Sequence, residues 1–259
     1  MVDTGVVRII DLNADVAEGG ALEPTDLAVL DSVTSASLAC GFHAGNRTVM
    51  RATAAACVHR GIAIGAHVSF RDREGFGRRP VDVAQARLVA DIVEQCELLA
   101  EEVGAAGGTV EFVKPHGALY NLMGVDPGVA DAMVEALGHQ GAGVLVAQAG
   151  TGVVAQARRA GLRVVLEGFP DRGYLGDGRL APRGEPGALI DDPGAAGRRA
   201  VSLARRQGVE AVDGTWTVVQ VETLCIHGDS PGAAASARAV RAALEAEGIT
   251  LRSFIGSRR

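Results

Sequence analysis

Three consecutive stretches decide the fold class: Ile62-Ala-Ile-Gly-Ala-His67, the run from Val81 to Val103, and Val110-Glu-Phe-Val-Lys114. The outer two are short apolar runs, each ending in an ionisable residue. Between them Val89, Ile92, Val93, Cys96 and Leu99 recur three and four apart, while Asp91, Glu94, Glu101 and Glu102 mostly face elsewhere, the pattern of an amphipathic helix. Strand, helix and strand in this order imply a parallel pair joined by a right-handed crossover. The same alternation extends both ways along the chain. Further strands are expected at Val7 to Asn13, Ser35 to Cys40, Gly143 to Ala147, Arg163 to Gly168 and Thr217 to Ile226. Further helices are expected at Thr25 to Val33, Asn46 to Arg60, Pro127 to His139, Thr151 to Ala160, Pro193 to Gln207 and Pro231 to Glu247. The fold class is therefore α/β, either an open doubly wound sheet or a closed barrel. No linker divides residues 1–259, so one domain is expected. The segment Pro170 to Asp192, rich in Gly, Pro and charge, reads as a functional loop or lid.

Composition narrows the function. The 259 residues carry a formal net charge of -6 with no basic run, which argues against a nucleic-acid partner. Neither a signal-peptide core nor an apolar run of membrane-spanning length is present, so no membrane partner and a cytoplasmic location are expected. Cys40, Cys57, Cys96 and Cys225 lack CxxC spacing and read as reduced, buried small residues. Of the 25 basic residues a single one, Lys114, is lysine. Arg and Lys differ where a compact, titratable ammonium is needed, so Lys114 calls for a reason of its own.

Polar residues gather where the strands end. Asp11, Asn13 and Asp15 share one face if the first strand stays extended. His43 follows the second strand, His67 ends the third, Lys114 and His116 end the fourth, Glu167 ends the sixth, and His227 and Asp229 end the last. In a parallel α/β fold these ends open on one side, so residues distant in sequence meet there. His59 and His139, near helix C-termini, read as dipole-complementing surface residues. Three uses fit the cluster. Asp15, His43, His67 and His116 could hold a divalent metal such as Zn or Mn. The same groups could act as metal-free acids and bases beside a cation. Gly150-Thr-Gly152-Val-Val-Ala155 matches a dinucleotide fingerprint in form, but on the fifth strand rather than the first, and reads better as an anion-receiving turn or a packing device. A Walker A sequence is absent.

At these strand ends the wording resembles a known family. Asp11-Leu-Asn-Ala-Asp-Val-Ala-Glu18, Ala39-Cys-Gly-Phe-His-Ala-Gly-Asn46, Gly65-Ala-His67, Gly75-Phe-Gly-Arg-Arg79, Val113-Lys-Pro-His-Gly-Ala-Leu-Tyr-Asn121, Asp171-Arg-Gly-Tyr174 and Cys225-Ile-His-Gly-Asp-Ser-Pro-Gly232 together resemble the LamB/YcsF family, the A subunits of 5-oxoprolinase. The match runs from about Ile9 through the last helix. Ala17 stands where the family usually has Gly, Asn46 where it often has Asp, and Val68 where Pro is common. The resemblance implies a distorted (β/α) barrel of about seven parallel strands, of glycoside hydrolase/deacetylase type. It implies a hydrolase that opens the lactam of 5-oxo-L-proline to L-glutamate as ATP is hydrolysed to ADP and phosphate, acting with the B and C subunits, with ATP as co-substrate bound either by this chain or by those partners. On this reading Asp15, His43, His67, Lys114, His116 and His227 are catalytic. Lys114 would hold a substrate anion, Asp15, His43 or His67 would activate water, and His116 or His227 would protonate the ring nitrogen. Asn13, Glu18, Tyr120, Asn121, Glu167, Arg172, Arg183 and Asp229 would bind substrate. The rival readings are a metal-dependent deacetylase or amidohydrolase, and a non-catalytic component of a larger complex. Homo-oligomerisation is left open.

Overall fold

The computed structural model describes residues 8–139, 143–227 and 232–256, with His227 described by its backbone only. Asp229 lies outside the described residues. In chain order the elements are β1 (Ile9–Val16), α1 (Pro24–Leu30), β2 (Ser35–Ala39), α2 (Arg47–Arg60), β3 (Ala63–Val68), α3 (Gln85–Ala105), β4 (Val110–Pro115), α4 (Gly117–Val125) and α5 (Pro127–His139). They continue with β5 (Val144–Gln148), α6 (Gly152–Arg159), β6 (Arg163–Gly168), α7 (Pro193–Arg206), β7 (Gly208–Glu210), β8 (Trp216–Val218), β9 (Thr223–His227), α8 (Ala233–Ala246) and β10 (Thr250–Leu251).

Of the two α/β alternatives, the chain takes the closed one. Strands β1 to β6 and then β9 pair in sequence and all in parallel, and β9 returns to β1. Seven strands close this barrel, and β10 extends it by pairing with the start of β1. Two seams are thin. Strands β4 and β5 share the single pair Val113↔Leu145, and β6 meets β9 only through Glu167↔Thr223 and Gly168↔Leu224.

The period of two along each strand sorts side chains between the two faces. On β1, Ile10, Leu12, Ala14 and Val16 join the core beneath the helices, leaving Asp11, Asn13 and Asp15 for the barrel interior. The interior floor is apolar: Ala63, Phe112, Val146 and Val165 pack together, with Phe254 and Ile255 of the C-terminal segment against them. Phe112 and Phe254 meet edge to face at 5.0 Å. Position 65 must be glycine because a Cβ there would overlap the Phe112 ring. Gly65→Ala is expected to destabilise the fold by about 1–3 kcal/mol through overpacking. Chemical denaturation checks this, and Gly65→Ala/Phe112→Leu should recover part of the loss.

Several boundaries differ from the sequence expectation. The first strand runs through Val16 and so carries Asp15 itself. Helix α3 begins at Gln85 rather than Val81, because Val81 and Val83 turn toward the core while Asp82 faces solvent, an extended alternation. The run from Thr217 to Ile226 serves two partners: β8 forms an antiparallel hairpin with β7, and β9 enters the barrel. Helix α4, a short glycine-bounded segment, has no clear periodic signal in the sequence.

Segment 170–192 is folded on itself by the bridges Arg172↔Leu189 and Tyr174↔Leu180. The Arg172 side chain donates to the carbonyls of Ala181 (2.8 Å) and Ala188 (3.1 Å), and the residue is only 7% exposed. An arginine expected to bind substrate thus spends Nε and Nη2 on stapling the loop. Gln148 Nε2 donates to the Gly178 carbonyl at 3.1 Å, bringing the loop to the C-terminal rim of the barrel.

Candidate active site

The barrel interior delivers its polar side chains in register. Lys114, two residues beyond Phe112 on β4, is 2% exposed. Its Nζ lies 2.8 Å from Asp15 Oδ1, 2.9 Å from Glu167 Oε1, 3.2 Å from Asn13 Oδ1 and 2.9 Å from Cys225 Sγ. An ammonium has three protons, so these four neighbours occupy it fully. Burial by itself would lower its pKa, but Asp15, Cys225 and Glu167 outweigh burial and hold it well above the usual value. Lys114 is thus a fixed cation between two carboxylates. Tyr120, buried with its hydroxyl toward Glu167, is pushed up by burial and then by that charge.

Beside this cluster stand three histidines. His67 Nδ1 lies 3.0 Å from the Lys114 carbonyl, which can only accept, so the proton is on Nδ1. His116 Nε2 donates to the Phe76 carbonyl at 2.8 Å. Ser69 Oγ donates to the Phe70 carbonyl and therefore accepts from His43 Nδ1 at 2.9 Å. Gln95 of α3 grips the Ser69 backbone from both sides, accepting from its N–H and donating to its carbonyl. Each ring thus spends its N–H outward and turns a bare nitrogen inward. His67 Nε2 and His116 Nδ1 face each other at 3.0 Å. Glu18 Oε1 lies 3.3 Å from His43 Nε2 and 3.6 Å from His116 Nδ1. The donor atoms of Glu18, His43, His67 and His116 all lie within 4.8 Å of one another.

Local structure explains how the rings arrive. The His43 and His116 rings stack at 4.0 Å, and Gly77, at φ +65°, leaves the space that a Cβ would take from both. Phe76 holds φ +54°, a strained value for a bulky residue, and so presents its carbonyl to His116. Asp72 secures that turn by accepting from Gly75 N at 3.0 Å and Arg79 Nε at 2.9 Å. Asn46 caps α2, accepting from Val49 N at 3.0 Å, and donates to the Gly20 carbonyl at 2.8 Å, a bond that Asp could not make. Ala17, at φ +63°, occupies a backbone conformation that favours glycine.

Burial dominates the titration of the rings. It lowers His43 and His116 to about 4 and His67 well below its usual value, so all three are neutral near pH 7. Unfolded imidazoles bind protons near 6.5, so between about 4 and 6.5 the unfolded chain binds more protons at these positions and stability rises with pH. Asp11, raised to about 6 by burial, works the other way between 3.8 and 6. Asp26, also raised by burial, acts in the same sense as Asp11, and three histidines against these two carboxyls predict that the urea midpoint of chelator-treated protein falls as pH drops from 7 toward 4.5. A midpoint that holds or rises would mean that the rings are not buried in neutral form.

Above the cluster opens a cavity of about 270 Å³ lined by Asp15, Glu18, Lys114 and His116 among others. Tyr120, Asn121, Arg172 and Arg183 also reach it, as does Arg78, which the sequence pattern does not single out. Glu18, expected to bind substrate, stands with the three histidines, whereas Asp15 is engaged by Lys114 and lies 3.4 Å from His67 Nε2. His227 pairs with Asp15 through the β1–β9 register. All four cysteines are buried and free. Cys225, expected to be an inert packing residue, touches Lys114, and its position two before His227 on one strand face is the signal that marks it.

Proteins of known sequence resemble the chain over nearly its whole length. A protein from Paracidovorax citrulli, named as the A subunit of 5-oxoprolinase, is 49% identical over 248 residues, 95% of this chain and 99% of that one. One of the same name from Streptomyces griseus is 48% identical over 249 residues, 95% of this chain and 100% of that one. The crystal structure of the lactam utilization protein from Thermus thermophilus superposes with a TM-score of 0.89 at 42% identity, covering 95% of this chain and 99% of that one. A family 4 carbohydrate esterase from Streptomyces lividans, 12% identical, shares the fold with a TM-score of 0.50, covering 94% of this chain and 91% of that one. The model of the LamB/YcsF family matches residues 10–259, and the chain belongs to that family.

Proposed function

We propose that this chain is the A subunit of an ATP-dependent 5-oxoprolinase, which opens the lactam of 5-oxo-L-proline to L-glutamate together with the B and C subunits. The observation that carries this reading is the buried Lys114, clamped between Asp15 and Glu167 at the base of a small polar cavity. It stands in a chain similar over 95% of its length to proteins that bear the name of the 5-oxoprolinase A subunit. At about 270 Å³ the cavity suits a five-membered ring with a phosphoryl group. It falls below the roughly 300–1,000 Å³ of drug-sized ligand sites, so we assign ATP to a site outside this cavity.

Amide resonance makes a lactam carbonyl a poor electrophile. Transfer of a phosphoryl group from ATP to the carbonyl oxygen removes that resonance and creates a leaving group. Water then attacks the carbon, its proton passing to Asp15, which Lys114 keeps ionised. The C–N bond breaks as the ring nitrogen takes a proton from Asp15 or from His227, its register neighbour on β9, which leaves the γ-acyl phosphate of glutamate, and a second water hydrolyses that acyl phosphate to L-glutamate and phosphate. Because Lys114 has no donor to spare, we assign the substrate anion to Arg78 and Arg183 on the cavity wall, with Asn121 and Tyr120 shaping it. Asn13 and Glu167 hold Lys114 in place.

Two bare imidazole nitrogens 3.0 Å apart repel unless a cation or a proton lies between them. Together with the Glu18 carboxylate they make a borderline-soft N/O donor set that fits Zn²⁺ or Mn²⁺. We assign Glu18, His43, His67 and His116 as its ligands. When bound, such an ion supplies a Lewis acid that polarises a carbonyl or lowers the pKa of water.

Reconstitution with candidate B and C subunits tests the reading. Glutamate formation that needs ATP and all three chains supports it. Glutamate released by this chain alone, without ATP, favours the metal-dependent amidohydrolase reading, which the Glu18–histidine cluster supports. Full activity with Lys114→Met would leave the chain a scaffold.

A further inference from the structure

Below Lys114 lies a carboxyl that the proposed chemistry does not use. Asp11, 1% exposed, accepts hydrogen bonds from Thr34 Oγ1 at 2.7 Å, from Ser35 Oγ at 2.8 Å and from Thr223 Oγ1. All these partners are hydroxyls, a costly arrangement for a buried acid. One of them leads upward. The single proton of Thr223 Oγ1 goes to Asp11, so the oxygen can only accept from above, and it accepts from Asn13 Nδ2 at 2.7 Å. The second Nδ2 proton of Asn13 goes to Glu167 Oε1 at 3.0 Å. Its Oδ1 is then the atom left for Lys114 Nζ, 3.2 Å away. A flipped amide would set oxygen against the Glu167 carboxylate and N–H against the ammonium.

We propose that Asp11 is a positioning residue: by fixing the direction of the Thr223 hydroxyl, it fixes the Asn13 amide and hence the hold on Lys114 and Glu167. Asparagine at position 11 can donate to Thr223, turn that hydroxyl toward Asn13 and reverse the amide. The relay rests on geometry alone. Its catalytic consequence rests on the function proposed above, and the two can be tested separately.

Lys114 is the chain's single lysine, so full-length protein grown on lysine labelled with ¹³C at Cε gives one resonance that reports on this cluster. At pH 8, Asp11→Asn and Thr223→Val should each displace it, and the double variant should shift it no further than the larger single, because both break one relay. Thr223→Ser, which keeps the hydroxyl, should restore the wild-type position. Ser35→Ala, which removes an Asp11 partner outside the relay, should leave it unmoved. In the reconstituted enzyme, Asp11→Asn and Thr223→Val should lower kcat by about 10- to 100-fold, in the range seen for groups that orient catalytic residues, with KM changed far less. The inference is overturned if Thr223→Val leaves the resonance in place, or if Ser35→Ala moves it as far as Asp11→Asn does. If the wild-type assembly forms no glutamate, the proposed function fails while the resonance still decides the relay.

Discussion

Replacing Lys114 by methionine is expected to lower glutamate formation by the reconstituted enzyme about a thousandfold, within the 10²- to 10⁴-fold range of general acid–base catalysis. Methionine nearly keeps the length of the side chain and removes its charge. Asp15 and Glu167, each within 2.9 Å of Nζ, would then share a buried site without a cation. One of them must take up a proton, and Asp15 loses its competence as a base. Breaking a buried ion pair from one side costs roughly 3–5 kcal/mol, so the melting temperature should fall as well. Lys114→Met/Glu167→Gln separates the two effects: it should regain part of the stability, because two carboxylates no longer face each other without a cation, and little of the activity, because Asp15 still lacks the ammonium that keeps it ionised. Lys114→Arg should also fail. A planar fork does not fit a pocket built for a compact ammonium, which agrees with a chain that uses arginine at every other fixed cation.

His67→Ala is expected to reduce bound Zn²⁺ or Mn²⁺, measured by elemental analysis and calorimetric titration of the purified chain, from about one per chain to near none. His67 contributes one of two bare nitrogens that face each other at 3.0 Å, and its other nitrogen is tied to the Lys114 carbonyl. The ligand set makes a sharper contrast. Glu18→Gln should lower metal affinity by at least about 10- to 100-fold, whereas Asp15→Asn should largely retain it. The opposite order would return Asp15 to the ligand set and remove Glu18. These measurements need neither substrate nor partner subunits.

Much of this site is legible in the residues. Asp11, Asn13 and Asp15 share a face because strand periodicity is local, and parallel topology sends His67, Lys114, His116 and Glu167 to one rim. Lys114 stands out by composition alone. Less is legible wherever one residue type has two uses. Asp15 and Glu18 are both carboxylates just beyond an apolar run, and nothing in their spacing says which meets the ammonium and which the imidazoles. Cys225 looks like a packing residue because thiols commonly are, and Arg172 looks like a substrate ligand because its sequence neighbours do not show that the loop's own carbonyls take up its donors. The run from Thr217 to Ile226 looks like one strand because its apolar pattern does not record that the chain changes partners within it.

The sequence by itself determined the α/β alternation, the inward and outward faces of each strand, the identity of the lone lysine and membership of one family, all of which follow from local periodicity or the order of motifs. Tertiary structure alone decided that the sheet closes, that Lys114 is saturated by four neighbours and that Glu18 joins the histidines. Those outcomes depend on the register in which β1 meets β9 and in which β4 and β6 flank β5, and distances across a closed barrel are set by strand pairing around its whole circumference.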